Sequence, residues 1–417
     1  MVFSFAATTV SVSANWEIAL FVVIACVYGI SQYLILNFIK HKTKQIRASV
    51  PLLKMLYKFV TVYQYVALAF IVSVIIEIFL ASSYHTAILN WGTSINYVIS
   101  GSIWGILAFR FLVWYRSVRS FVVLLYALTS ITITIAFLSW LPYNAGVLLE
   151  MPAERNIQTP PTPYQFYDLN STMGRLQYYS GVIIVLPVFL LWVSSILMLH
   201  KYSQSFGRIK FWSLAAVLLL FLVMTPTGLL FAYVPAILGI SSSDIPLHLT
   251  MLYTLVPGLL GGFLFAAPFF AIAKHIPPNK SFLKEYLILA AWGLILFNVT
   301  TSGNVLNAAY PPFGFSDVML EVTASSLILL GLYCSAISIS ADTRLRQLIR
   351  KSVLDETKLL GNIGAAQTKI ETEKRIVNIV KEHSDIINEQ TGVQPSLTEE
   401  DIKHYLDDVL GEIHRKK

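Results

Sequence analysis

The sequence predicts an all-α, polytopic membrane protein: a bundle of about nine transmembrane helices, N-terminus outside and C-terminus inside, followed by a short cytoplasmic helical tail. Three observations predict it. Hydrophobic residues make up 56% and charged residues 13% of the 417-residue chain, and the mean hydropathy is +0.66, far from the mix of a soluble globular chain. Apolar runs of about 20 residues recur, each long enough to cross a hydrocarbon core of roughly 30 Å as a helix that satisfies its own backbone. Lys and Arg are concentrated in alternate connections, as the positive-inside rule requires.

The spans fall near 16–39, 59–81, 94–115, 121–140, 178–199, 211–235, 250–273, 282–302 and 319–341. The third and fourth are joined only by "RSVRS". The connections 40–58, 116–120, 200–210, 274–284 and 342–351 hold eighteen Lys and Arg, and the opposite face holds two, Arg155 and Arg175. Nine alternating spans satisfy that asymmetry with none discarded. The first apolar run has no basic residues before it and Lys40, Lys42, Lys44 and Arg47 after it, so it reads as an uncleaved span. The chain divides into a transmembrane bundle, 1–341, and a tail, 342–417.

The pI near 9.1 does not indicate nucleic acid. Residues 352–417 hold nine Lys and Arg against thirteen Asp and Glu, while 1–351 hold twenty-one against ten. The basic excess is the inner membrane surface facing anionic headgroups. Cys26 and Cys334 both fall inside spans and the eight His are scattered, so no metal site or cofactor is expected. No acid–base or nucleophile constellation is present, and no enzyme activity is expected.

Two ionisable residues are placed within spans, where a charge is a functional candidate because its burial in lipid is costly. Arg110, roughly 7.5 Å from the inner end of its span, is expected to snorkel to the headgroups beside Trp114, Tyr115 and Arg116. Glu77, roughly 6 Å from the outer end, is either a structural hydrogen-bonding group or a ligand or proton site. The sixth and seventh spans contain Pro226 with Gly228, and Pro257 with Gly258, Gly261 and Gly262. These either interrupt the helices, as in transporters that bind substrate on unwound backbone, or permit close helix packing.

The outer face has a long loop, 141–177, in which Asn170-Ser171-Thr172 is a glycosylation sequon. A second aromatic and proline-rich loop contains Tyr310 and Phe313. With Glu77 the two loops would form an outward-facing ligand pocket.

The segments "YPPFGFSD", "GLYCSAISISADTRLRQLIRKSV", "NIGAAQ" and "GVQPSLTEEDIKHYLDDVL" resemble uncharacterised multi-pass membrane proteins of ammonia-oxidising archaea. The resemblance covers about the last 110 residues and implies an archaeal cytoplasmic membrane, with no activity and no site residues to carry over.

In the tail, Arg344, Arg346, Arg350 and Lys351 form a basic collar anchoring the last span. Gly361 and Gly364 are expected to allow a bend, followed by a helix over about 365–390. That helix has Ile370, Val377, Val380 and Ile387 on one face, with Gln367, Lys374 and Ser384 interrupting the stripe. A third helix begins at Ser396, with Glu399 completing a capping box, and carries Ile402, Leu406, Val409, Leu410 and Ile413 at three- and four-residue spacing. That apolar face must dock on protein. The expected function is a receptor-like, signal-relaying or assembly protein acting through this tail, by self-association or with a protein partner. The alternatives are a secondary transporter using spans six and seven, or a structural subunit of a membrane complex.

Overall fold

The computed structural model describes residues 14–42, 51–81, 83–150, 154–156, 171–200, 207–224, 247–276, 281–301, 314–341 and 355–391. The helices in chain order are α1 (Ala14–Lys42), α2 (Pro51–Ala81), α3 (Thr86–Val118), α4 (Phe121–Glu150), α5 (Thr172–Ile183), α6 (Val185–Leu199), α7 (Arg208–Met224), α8 (Leu247–His275), α9 (Ser281–Thr300), α10 (Gly314–Ala341) and α11 (Asp355–Thr391). A short antiparallel pair, β1 (Ser83–His85) with β2 (Glu154–Asn156), closes one end, with Tyr84 opposite Arg155.

Among the described residues, seven helices are long and apolar enough to cross a membrane, α5 and α6 together making one of them, and Gly258–Lys274 is a shorter apolar helix. The protein is thus an all-helical bundle of multi-pass membrane character. Long apolar side chains such as Val62, Tyr65, Phe79 and Leu80 are exposed on its outer faces, as lipid contact requires. Described helices overlap all nine expected spans, but α7 covers the sixth only as far as Met224, with 225–235 outside the described residues, and the fifth is divided between α5 and α6. α4 continues through Pro142 to Glu150, so the expected loop 141–177 is helical at both ends. The turn "RSVRS" closes on Arg119, left-handed at φ 49°, whose N–H donates to Tyr115 O at 2.7 Å and lets α4 begin two residues later.

α10 is the axis of the bundle. Every residue from Glu321 to Ala336 is buried, and α10 packs against α9, α3, α11, α2 and α1. The seam with α9 is close because each helix presents a glycine. A Cβ at Gly331 would lie 2.6 Å from Ala290 N and Tyr286 O, and one at Gly293 would lie 2.9 Å from Ile328 N. Without aqueous solvent to drive helices together, such backbone proximity is what membrane helices gain from small residues.

Three expectations are corrected. α8 is a continuous helix through Pro257, Gly258, Gly261 and Gly262, so the seventh span is not interrupted. Its glycines serve packing: a Cβ at Gly262 would lie 2.9 Å from Ile295 Cα, and one at Gly261 would lie 2.7 Å from Leu222 Cδ2. α11 does not bend at Gly361 or Gly364 but runs unbroken from Asp355. Its buried face also starts earlier than the expected stripe, of which Ile370 and Val377 are part. Leu359, Leu360, Ile363 and Ala366 are buried in the main core, Ile370 packs beside them, and Val377 is buried further along.

Candidate functional site

The interior of the bundle is polar at one level, where α1, α2, α3 and α10 meet. Tyr63 donates its hydroxyl to Asn96 Oδ1 at 2.7 Å, and Asn96 Nδ2 donates to Glu321 Oε2 at 2.6 Å. Met319 Sδ lies 3.3 Å from the Tyr63 hydroxyl. One residue along α2, Gln64 donates to Gln32 Oε1 and, at 3.2 Å, to Thr323 Oγ1. Thr323 in turn donates to Gln32 Oε1 at 2.8 Å. Trp104 Nε1 donates to Ser325 Oγ at 3.1 Å one turn of α10 below Glu321. All of these side chains are buried.

The cluster is only partly satisfied. Tyr28 Oη, Gln32 Nε2, Gln64 Oε1 and Ser100 Oγ are buried and make no hydrogen bond among the described residues. Tyr28 is one turn from Gln32 on α1, and Ser100 one turn from Asn96 on α3, so both belong to the same inward faces. At 1.5 Å per residue, Asn96 lies roughly 15 Å along α3 from Thr86, Gln64 roughly 15 Å along α2 from Lys54, and Gln32 roughly 12 Å along α1 from Lys40. By the same measure Glu321 lies roughly 10 Å along α10 from Gly314, so all four helices bring the cluster together inside their length and not at their ends.

A second junction lies at the end of the bundle that carries Arg110. Trp114 is fully buried rather than at a lipid interface. Its Nε1 donates to Gln367 Oε1 of α11 at 3.1 Å, and its rings stack on Tyr333 with centroids 6.2 Å apart. Gln367, expected to spoil the apolar stripe, is the residue that anchors α11. Its Nε2 donates to Glu371 Oε1 at 3.0 Å, and the same carboxylate accepts from Ser340 Oγ. Asn362 Nδ2 donates to Ser120 Oγ at 2.7 Å. Gly364 is where α11 meets α10, since a Cβ there would come 2.8 Å from Ile339 Cβ.

The residues expected from sequence are distributed differently. Arg110 is half-buried with its guanidinium 5.0 Å from the Tyr333 ring centroid, held by a cation–π contact to α10. Glu77 is partly exposed and accepts the His85 N–H at 2.9 Å, with His85 Nδ1 at 3.3 Å. It therefore holds the β1 turn that leads into α3, roughly 20 Å along α2 from Gln64, and is not part of the interior cluster. Ser171 of the sequon caps α5, accepting the Gly174 N–H at 2.9 Å. Pro226, Gly228, Tyr310, Phe313, Asn170, Arg344, Arg346, Arg350, Ile402, Leu406, Val409, Leu410 and Ile413 lie outside the described residues.

Glu321 is not among the residues expected from sequence, although it lies two residues inside the expected last span, 319–341. α10 begins at Gly314, two turns before Glu321. A signal was present in α3, where Asn90, Thr93, Asn96 and Ser100 form a polar stripe at helical spacing on an apolar helix, all four buried. In lipid such a stripe must face protein. Compared with known proteins, the chain matches no family model, no curated protein and no solved structure.

Proposed function

We propose that the chain is a nine-span cell-membrane protein, N-terminus outside and C-terminus inside, that relays a change at the interior polar cluster to its C-terminal helical region. There the region meets a protein partner or a second copy. The observation that carries the reading is that α10 belongs to both junctions. Its Glu321 and Thr323 close the polar cluster, and its Ile339 and Ser340 hold α11, roughly 28 Å further along the same helix.

The orientation draws support from charge, and helix direction is compatible with α10 as an odd-numbered span. α10 runs parallel to α3, since Asn96 meets Glu321, Trp104 meets Ser325 and Trp114 meets Tyr333. α2 and α9 run the other way, which fits α1, α3 and α10 as odd-numbered spans. α7 and α8 then supply the sixth and seventh crossings. The eighteen-to-two division of Lys and Arg favours α11 on the inner side. The transporter alternative loses its seventh-span interruption, because α8 is continuous.

The test is hydrogen–deuterium exchange of α11 in lipid nanodiscs, comparing the wild-type chain with Glu321→Gln. A relay changes amide protection across Leu359–Val377 although the substitution is remote from α11. Unchanged exchange throughout α11 in a folded variant contradicts it.

A further inference from the structure

We propose that Glu321 is a proton-binding site: its carboxyl takes up and releases one proton in the bundle interior, with Asn96 and Tyr63 reporting its occupancy to α3 and α2. This deepens the relay reading by naming what the cluster binds.

The geometry carries it. Glu321 is 2% exposed, and among the described residues its hydrogen bond is the Asn96 Nδ2 donation to Oε2. Among the described residues no Lys, Arg or His pairs with it. A bare carboxylate facing a single neutral amide in a lipid-embedded interior has no counter-charge, which is the costly arrangement. A proton on Oε1 removes the charge and leaves the Asn96 bond intact.

A small cation fits less well. Hard cations require several converging oxygens, whereas here the nearest amide offers Glu321 its N–H, the Asn96 oxygen is turned to Tyr63, and a thioether sulfur flanks the phenol. The hydrogen bonds run in one direction, Tyr63 to Asn96 to Glu321, so adding or removing the proton changes the acceptor on which the chain ends. The unpartnered Ser100 and Tyr28 hydroxyls, one turn from the network on α3 and α1, are the groups to which water bridging toward the carboxyl would bond. The proton is exchanged with water and no bond between heavy atoms changes.

The other titratable groups around the site are few. α2 contributes Tyr63, and α1 contributes Tyr28. α3 contributes only the neutral Asn96 and Ser100 at this level. α9, whose Gly293 lies against Ile328, reaches this level with Phe297 and Thr300, and its Glu285 and Tyr286 are roughly 20 Å away. α11 does not reach the site. Asp317, one turn earlier in the sequence, is the other acidic residue of α10.

The test is infrared spectroscopy of the full chain in lipid at neutral pH, reading the carbonyl stretch of protonated carboxylic acids in H2O and D2O, with and without sodium. The expected result is a deuterium-sensitive band equivalent to one carboxyl that is lost in Glu321→Gln and kept in Asp317→Asn. Should Glu321→Gln fail to fold, Asn96→Ala serves instead: removing the donor shifts the band without abolishing it. Retention of an unshifted band in these Glu321 and Asn96 variants, its complete absence from the wild type, or its disappearance on adding sodium overturns the proposal. Hydrogen exchange reads coupling and the infrared band reads binding, so either conclusion can fail without the other.

Discussion

Trp114 joins three helices through one side chain. Its ring lies edge-on to Phe111 at 5.3 Å and stacks on Tyr333 of α10, and its N–H is spent on Gln367 of α11. Trp114→Phe keeps most of the apolar contact and leaves the buried Gln367 oxygen without its donor, which costs about 1–3 kcal/mol. Replacing Gln367 by Leu in the same chain removes the orphaned acceptor. Thermal unfolding in detergent is therefore expected to show the double variant less destabilised than the sum of the single ones. Additive losses would mean that the pair is not coupled. Glu77 presents the opposite case: its carboxylate is partly open to solvent and its contacts with His85 organise a surface turn, a setting in which side-chain contacts contribute little.

Between elements, the seam of α9 and α10 sets how close the helices come. At Gly331 a methyl group would meet backbone atoms, Ala290 N and Tyr286 O, at 2.6 Å, and neither can rotate away as a side chain would. Overpacking a core commonly costs about 1–3 kcal/mol, so Gly331→Ala is expected to cost at least about 3 kcal/mol or to prevent folding. At Gly105 the nearest atoms to such a methyl are at 3.9 Å, and Gly105→Ala is expected to be neutral or to stabilise by up to about 1 kcal/mol. Denaturant unfolding followed by tryptophan fluorescence checks the contrast, and equal effects would count against the seam.

The existence of the helices was legible in the sequence because hydropathy over about 20 residues reports a property of the segment itself. Their continuity was less so. Pro257, Gly361 and Gly364 suggest breaks when read locally, yet α8 and α11 are continuous there, with α9, α7 and α10 packed against the glycines Gly262, Gly261 and Gly364. Whether a glycine bends a helix or admits a neighbour is decided by the neighbour.

Across the whole molecule, charge and apolar length pointed to a membrane bundle, but the residues that meet inside it were not readable one span at a time. Gln32, Gln64, Asn96 and Thr323 are individually unremarkable polar residues in four separate apolar segments. They form a cluster only because α1, α2, α3 and α10 converge, and Glu321 joins it because α10 begins at Gly314, two turns before that carboxyl. The C-terminal region was expected to be an appendage, and α11 instead completes the core at the Trp114 end. Among the described residues, one buried helix, α10, thus carries an interior carboxyl and packs against the docked α11.

The most direct test of that arrangement is disulfide formation between Ile339→Cys and Gly364→Cys in native membranes, with Cys26 and Cys334 replaced by Ala. A Cβ at 364 lies 2.8 Å from that of Ile339, slightly inside the roughly 3.5–4.5 Å that a disulfide spans, so a small outward shift of α11 suffices. The account predicts rapid cross-linking at a rate that changes when Glu321→Gln is added. A pair that never cross-links, or one that does so at the same rate with and without the Glu321 carboxyl, would contradict it.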